Sequence, residues 1–130
     1  MGLIASILAL DDAELNARWG TLQSRLKERF GEETGIETTL FLIGIQSSGN
    51  GFQPRLSKKA KEKVIMEGTH CAFETLGLYK RVGNHSNGHG IWEKTGPSIP
   101  KLGLPEQEKL LRVAILKYFD KEWPQDASSG

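Results

Sequence analysis

The chain has one cysteine, Cys71, so no disulfide can close within it. That lack excludes a disulfide-stapled scaffold and favours a reducing, intracellular setting, which we take to be the cytoplasm. An excess of charge of one sign is lacking too. Lys and Arg number 17 and Asp and Glu 16, a net charge of +1 at pH 7. No global field then recruits nucleic acid or an acidic membrane, and any such contact needs a local patch. Long hydrophobic runs are missing. The apolar start "MGLIASILALDD" is too short to span a bilayer and has no positively charged leader, so neither a transmembrane helix nor an export signal is expected. Internal repeats, a phosphate-binding glycine loop, zinc-type Cys/His spacings and a Gly-x-Ser-x-Gly elbow are all absent from the sequence. No nucleophile–base–orienter set can be assembled from it, which leans away from an enzyme.

What remains is the composition of an ordinary globular domain, with 130 residues, 38% hydrophobic and 25% charged. A chain this long buries roughly two-thirds of its unfolded surface, enough for one core without staples. A single domain over 1–130 is expected, with an apolar segment at 1–10 and a flexible tail at 124–130. "MGLIAS" fits the short N-myristoylation pattern. The plainer reading is a helical turn or two packing on the core.

The first strong element is "DDAELNARWGTLQSRLKERFG". Asp11 can cap it, with Glu14 as reciprocal partner, and Gly31 can end it. Leu15, Trp19, Leu22, Leu26 and Phe30 form an apolar stripe at helical spacing. In "TGIETTLFLIGIQSSGNG", Thr34 and Glu37 look like a capping box, but the run from Thr38 to Ile45 is β-branched and continuous, so strand competes with helix. The caps and the "SSGNG" breaker favour a helix. A third helix, expected to be the central one, runs from about Leu56 to Tyr79 after Pro54 and Ser57. "SNG" at 86–88 divides two short extended runs and reads as a hairpin turn. A Gly/Pro-rich connector follows. Pro105 then opens a last helix carrying Leu110, Leu111, Ala114, Ile115, Tyr118 and Phe119. The fold expected is mainly α: a compact bundle of four or five helices with one inserted β-hairpin at about residues 79–94.

"FLIGIQ" on one helix, a Lys-rich helix next, a hairpin ending "IWE" and a helix ending "ILKYF" together resemble a family of small uncharacterised bacterial proteins. The resemblance covers roughly residues 11–120. It implies a helix at 36–48 and implies no activity or site residues.

Three groups of residues are candidate sites. The first is Glu67-x-x-His70, half of the ligand set of a carboxylate-bridged di-metal bundle, with Glu74 beyond it. At about 100° per residue, Lys63, Glu67, His70 and Glu74 share an arc of about 60° on a helix whose other side is broadly apolar. A metal site would need further ligands, and Glu37 is the best placed. A divalent metal is the one cofactor these residues could hold, and none is predicted outright. The plainer reading is a solvated stripe whose i,i+4 pairs add only about 0.2–0.5 kcal/mol each. Cys71 points about 100° away from His70 and reads as a small hydrophobe.

The second group is His85 and His89, placed opposite each other by a three-residue loop that also pairs Val82 with Trp92 and Arg81 with Glu93. Two imidazoles make a weak surface metal or phosphate contact, and the alternative is a polar hairpin tip. The third is the basic turn "RLSKKAKEK". Arg55, Ser57, Lys58 and Lys59 cluster there at a helix N-terminus, an anion-binding arrangement if it is not simply solvated. With one aromatic nearby, Phe52, a nucleic-acid platform is poorly supported. The function expected is a non-enzymatic binding or assembly module. Its contact surface would lie near Trp92 or the apolar N-terminal segment, and its partner would be a protein or a second copy. The alternatives are a metal-binding protein built on Glu67, His70 and Glu74, and an anion contact at 55–63.

Overall fold

Local caps set where two of the helices begin. The computed structural model describes residues 2–31, 35–48, 56–86 and 88–122. Within it, Asp11 accepts a hydrogen bond from the Glu14 amide at 3.0 Å and opens α2, Asp12–Phe30. Ser57 accepts from the Ala60 amide at 3.1 Å and opens α4, Lys58–Glu74. Each cap satisfies one of the orphan donors of a first turn. Gly31, at φ 84°, closes α2 through its N–H to the Lys27 carbonyl at 2.7 Å. Thr34 and the 124–130 tail lie outside the described residues.

The apolar start is helix α1, Leu3–Leu8, and it buries Ile4 and Ile7 in the core as the plainer reading required. The Leu8 and Leu10 carbonyls accept from Lys109 Nζ at 2.9 and 2.6 Å, and the same ammonium ion-pairs with Asp12 at 2.7 Å. Along α2 the stripe buries Leu15, Leu22 and Leu26, and Trp19 is half-buried. Phe30 departs from expectation. It is 52% exposed, because the helix has run past the core by its last turn.

The β-branched run is a helix, α3, Ile36–Ser48. Its apolar residues show no single period because more than one face is covered. It packs on both α4 and α5, and Thr39, Leu40, Phe41 and Ile43 are all buried. The Thr39 hydroxyl is satisfied by the Gly35 carbonyl at 2.6 Å. α3 and α4 cross with Gly68 against Leu40 and Gly44 against Val64, so their backbones come close together.

Helix α4 ends at Glu74, short of the expected Tyr79. Gly77 takes φ 78°, its N–H bonds the Glu74 carbonyl at 3.0 Å, and the Leu78 N–H reaches back to Phe73 at 3.1 Å. This double bond pattern around a left-handed glycine stops a helix and turns the chain into β1, Tyr79–Asn84. β1 pairs antiparallel with β2, Gly90–Lys94, as a two-stranded hairpin. The register near the tip agrees with expectation, pairing Gly83 with Ile91 and Asn84 with Gly90. A bulge at Val82 then shifts the rest by one, so Arg81 faces Trp92 and Lys80 faces Glu93. The expected Val82–Trp92 and Arg81–Glu93 pairs are not formed. The extra residue sends Val82 outward and leaves Arg81 and Trp92 together on the inner face.

The last helix, α5, Leu104–Glu122, packs against all four other helices, so it is the central element rather than α4. Its buried face carries Leu110, Ala114, Ile115, Tyr118 and Phe119 as expected, with Val113 and Leu116 added. Among the described residues, five helices and one hairpin thus form the helical bundle with inserted hairpin that the sequence implied. Among the described residues no helix is long and apolar enough to cross a membrane.

Candidate functional site

Glu67 stands on the third turn of α4 and is only 3% exposed. The solvated stripe is therefore corrected at its most important member. Lys63 and Glu74 are exposed and His70 is half-buried, but Glu67 faces inward. On the helical wheel it lies at the edge of the polar arc, about 40° from Cys71, and the hairpin folds over that edge.

Donors from three other elements converge on the carboxylate. Oε2 accepts from Arg81 Nη2 of β1 at 2.6 Å and from Ser47 Oγ of α3 at 3.0 Å. Oε1 accepts from the Trp92 indole of β2 at 3.0 Å. The Gly90 amide is shared between the two oxygens at 3.1 and 3.2 Å. Arg81 Nη2 also donates to Ser47 Oγ at 2.7 Å, so guanidinium, hydroxyl and carboxylate form a closed triangle. The Cys71 thiol lies 4.0 Å from Oε2. An ionised carboxylate offers about four lone-pair sites, and these donors fill them.

Gly90 matters sterically. A Cβ there would sit 2.5 Å from Arg81 Nε and 2.8 Å from Trp92 Nε1, so only glycine lets these groups close around the carboxylate. Arg81 also lies over the Trp92 ring, 5.1 Å from its centroid.

Burial on its own would raise the Glu67 pKa. The hydrogen bonds from Trp92, Gly90, Ser47 and Arg81 outweigh it and hold the carboxyl below its ordinary value. His70 sits edge-on to Tyr79 at 4.8 Å and stacked on Trp92 at 5.5 Å. Burial pushes its pKa down against the pull of the Glu67 charge, which favours the neutral imidazole. Burial likewise pushes the Cys71 thiol up to about 11, which removes the thiolate needed for nucleophilic chemistry.

The remaining sequence-predicted residues are scattered. Glu37 and Glu74 are exposed. Among the described residues no three or more His, Cys, Asp or Glu side chains come together to hold a metal ion. His85 and His89 do oppose each other at the hairpin tip, where the His85 amide donates to the His89 carbonyl at 2.7 Å. The Ser57 hydroxyl is engaged as the α4 cap, Lys58 and Lys59 are exposed beside it, and Arg55 and Phe52 lie outside the described residues. Trp92 is half-buried and turned toward Glu67, not outward as an interaction surface.

Sequence reasoning missed Ser47, Arg81, Gly90 and Trp92 as partners of Glu67. A signal existed in the nearness of Glu67 to Cys71 around the helix, since a carboxylate at an apolar edge needs partners. Against known proteins, the chain matches no family model, no curated protein and no solved structure.

What this cluster does chemically is accept hydrogen bonds. It ties α3, α4 and both strands together and fixes how the hairpin sits. The outer hairpin face is thereby held outward, with Val82 49% and Ile91 40% exposed and the cross-strand pair Lys80 and Glu93 beside them.

Proposed function

We propose that the chain is a non-enzymatic binding or assembly module that presents the outer face of its hairpin to a protein partner, in the first instance a second copy of itself. The observation that carries this reading is the exposed pair Val82 and Ile91 on an element pinned from behind by Glu67. Rigid presentation lowers the entropic cost of association. A face that carries two apolar side chains together with one charge of each sign can serve as its own complement about a twofold axis. The lone buried thiol of Cys71 supports a reducing, cytoplasmic setting. The resemblance of residues 11–120 to small bacterial proteins supports a bacterial source.

Native mass spectra of untagged protein, purified without chelator, test the proposal. A dimer is expected for the wild type and a monomer for the Val82→Lys/Ile91→Lys double variant, whose two side chains are exposed and leave the core untouched. A bare wild-type monomer at every concentration refutes self-association. A stoichiometric metal mass that is lost in His70→Ala would move the reading to the metal-binding alternative.

A further inference from the structure

The hairpin is attached to the molecule differently from the helices. The helices share one core, drawn from all five of them and from the turn after α4, and no strand residue belongs to its buried set. Tyr79 and Trp92 only pack against that core, half-buried. The hydrogen bonds from the strands to α3 and α4 converge instead on Glu67 and on the Ser47 hydroxyl bound to it. Among the described residues, further links include ring contacts of Tyr79 with Phe73 and His70, and of Trp92 with His70.

The chemistry of the cluster makes the negative charge essential. The Arg81 guanidinium, the Trp92 indole and the Gly90 amide are donors that cannot become acceptors. A guanidinium is a permanent cation in proteins, and among the described residues the buried Arg81 Nε has no hydrogen-bond partner. A neutral carboxyl, or a carboxamide of the same shape, turns a donor toward these donors and leaves the guanidinium without a counter-charge. A two-stranded hairpin detached from its support is at best marginally stable in water.

We propose that Glu67 is a charge latch. Its negative charge holds the β1–β2 hairpin on the helical body, and neutralising it frees the hairpin as a unit while the five helices stay folded. The latch does not depend on whether the hairpin face binds a partner. Acid is the natural trigger. Among the described residues, the charged or titratable groups facing Glu67 are Arg81 from β1, and His70 and Cys71 from α4 itself; Tyr79 from β1 faces His70. α3 presents the Ser47 hydroxyl, and β2 the Gly90 amide and the Trp92 indole, none of which titrates. The donors keep the carboxyl charged to below its ordinary range, so release belongs to strongly acidic solution.

Amide hydrogen exchange followed by NMR on the wild type and on Glu67→Gln at neutral pH tests the latch. The amides of β1 and β2 and the Trp92 indole N–H should exchange roughly tenfold faster or more in the variant, while α2 and α5 amides keep their wild-type protection. Unchanged exchange in the hairpin overturns the proposal. So does equal acceleration of hairpin and helices, or a variant that does not fold, because Glu67 would then hold the whole molecule. A second measurement needs no variant. On acid titration of the wild type, the Trp92 indole signal should leave its bonded position before the helical circular dichroism falls, and simultaneous loss overturns the latch.

Discussion

Replacing Gly68 with alanine adds one methyl group to α4 where α3 crosses it. A Cβ at Gly68 would overlap the Leu40 carbonyl oxygen, lie 2.8 Å from the carbonyl carbon and 3.0 Å from the Gly44 nitrogen. These are backbone atoms of a helix and cannot rotate aside. The only relief is to separate the two helices, which loosens Leu40, Ile43, Val64 and Cys71 between them. Overpacking costs about 1–3 kcal/mol, and a rigid obstacle puts this case near the upper end. The better helix propensity of alanine returns about 1 kcal/mol. The net expectation is a destabilisation of about 2 kcal/mol, or a fall in Tm of roughly 6–10 °C for a chain of this size. Gly20 provides the control. It lies within α2, is exposed, and a Cβ there meets nothing within 4 Å. Gly20→Ala should therefore stabilise by about 0.5–1 kcal/mol. Thermal and urea unfolding of both variants, followed by circular dichroism, gives the two signs. A Gly68→Ala protein as stable as the wild type would refute the close backbone crossing, and a destabilised Gly20→Ala would refute the account of α2.

Three further outcomes follow from the same structure. Arg81→Met leaves the buried Glu67 charge without its counter-ion, and because Arg81 is itself 31% exposed the cost should be near the lower end for such pairs, about 3 kcal/mol in urea titrations at pH 7; a loss below about 0.5 kcal/mol would show that solvent already screens the pair. Stability should fall as pH drops in two stages, because both shifted groups bind protons more readily in the unfolded chain. His70, lowered from 6.5 by burial, acts first and Glu67, lowered from 4.5 by its donors, acts later; urea midpoints measured against pH should show both stages in the wild type and lack the upper one in His70→Phe, and an upper stage that survives the substitution rules out His70 as its source. Cys71, buried with its thiol pushed up to about 11, should resist iodoacetamide in the native protein and react once urea unfolds it; labelling of folded protein at the rate of a free thiol would contradict its burial.

The parts of the fold that were legible before the structure are those decided within a few residues. The Asp11 and Ser57 caps and the Gly31 stop are contacts across three or four positions. The stripe on α2 and the buried face of α5 follow from helical spacing alone. The hairpin was legible from its turn. Its far end was not, because the bulge at Val82 shifts the pairing by one from Arg81 onward, and the turn signal does not specify a bulge. Helix α3 was ambiguous for a related reason. A segment covered on several faces loses the period that distinguishes helix from strand.

The sequence by itself determined a mainly helical chain of four or five helices, a hairpin, most of the apolar residues that fill the core and the residues at which α2 and α4 begin. The tertiary structure alone decided what Glu67 is. Its partners Arg81, Ser47, Gly90 and Trp92 stand 14, 20, 23 and 25 residues away along the chain. Whether a carboxylate faces water or a closed set of donors depends on where those distant groups are delivered. Periodicity places a side chain on one face of its own helix, and only the packing of other elements determines what covers that face.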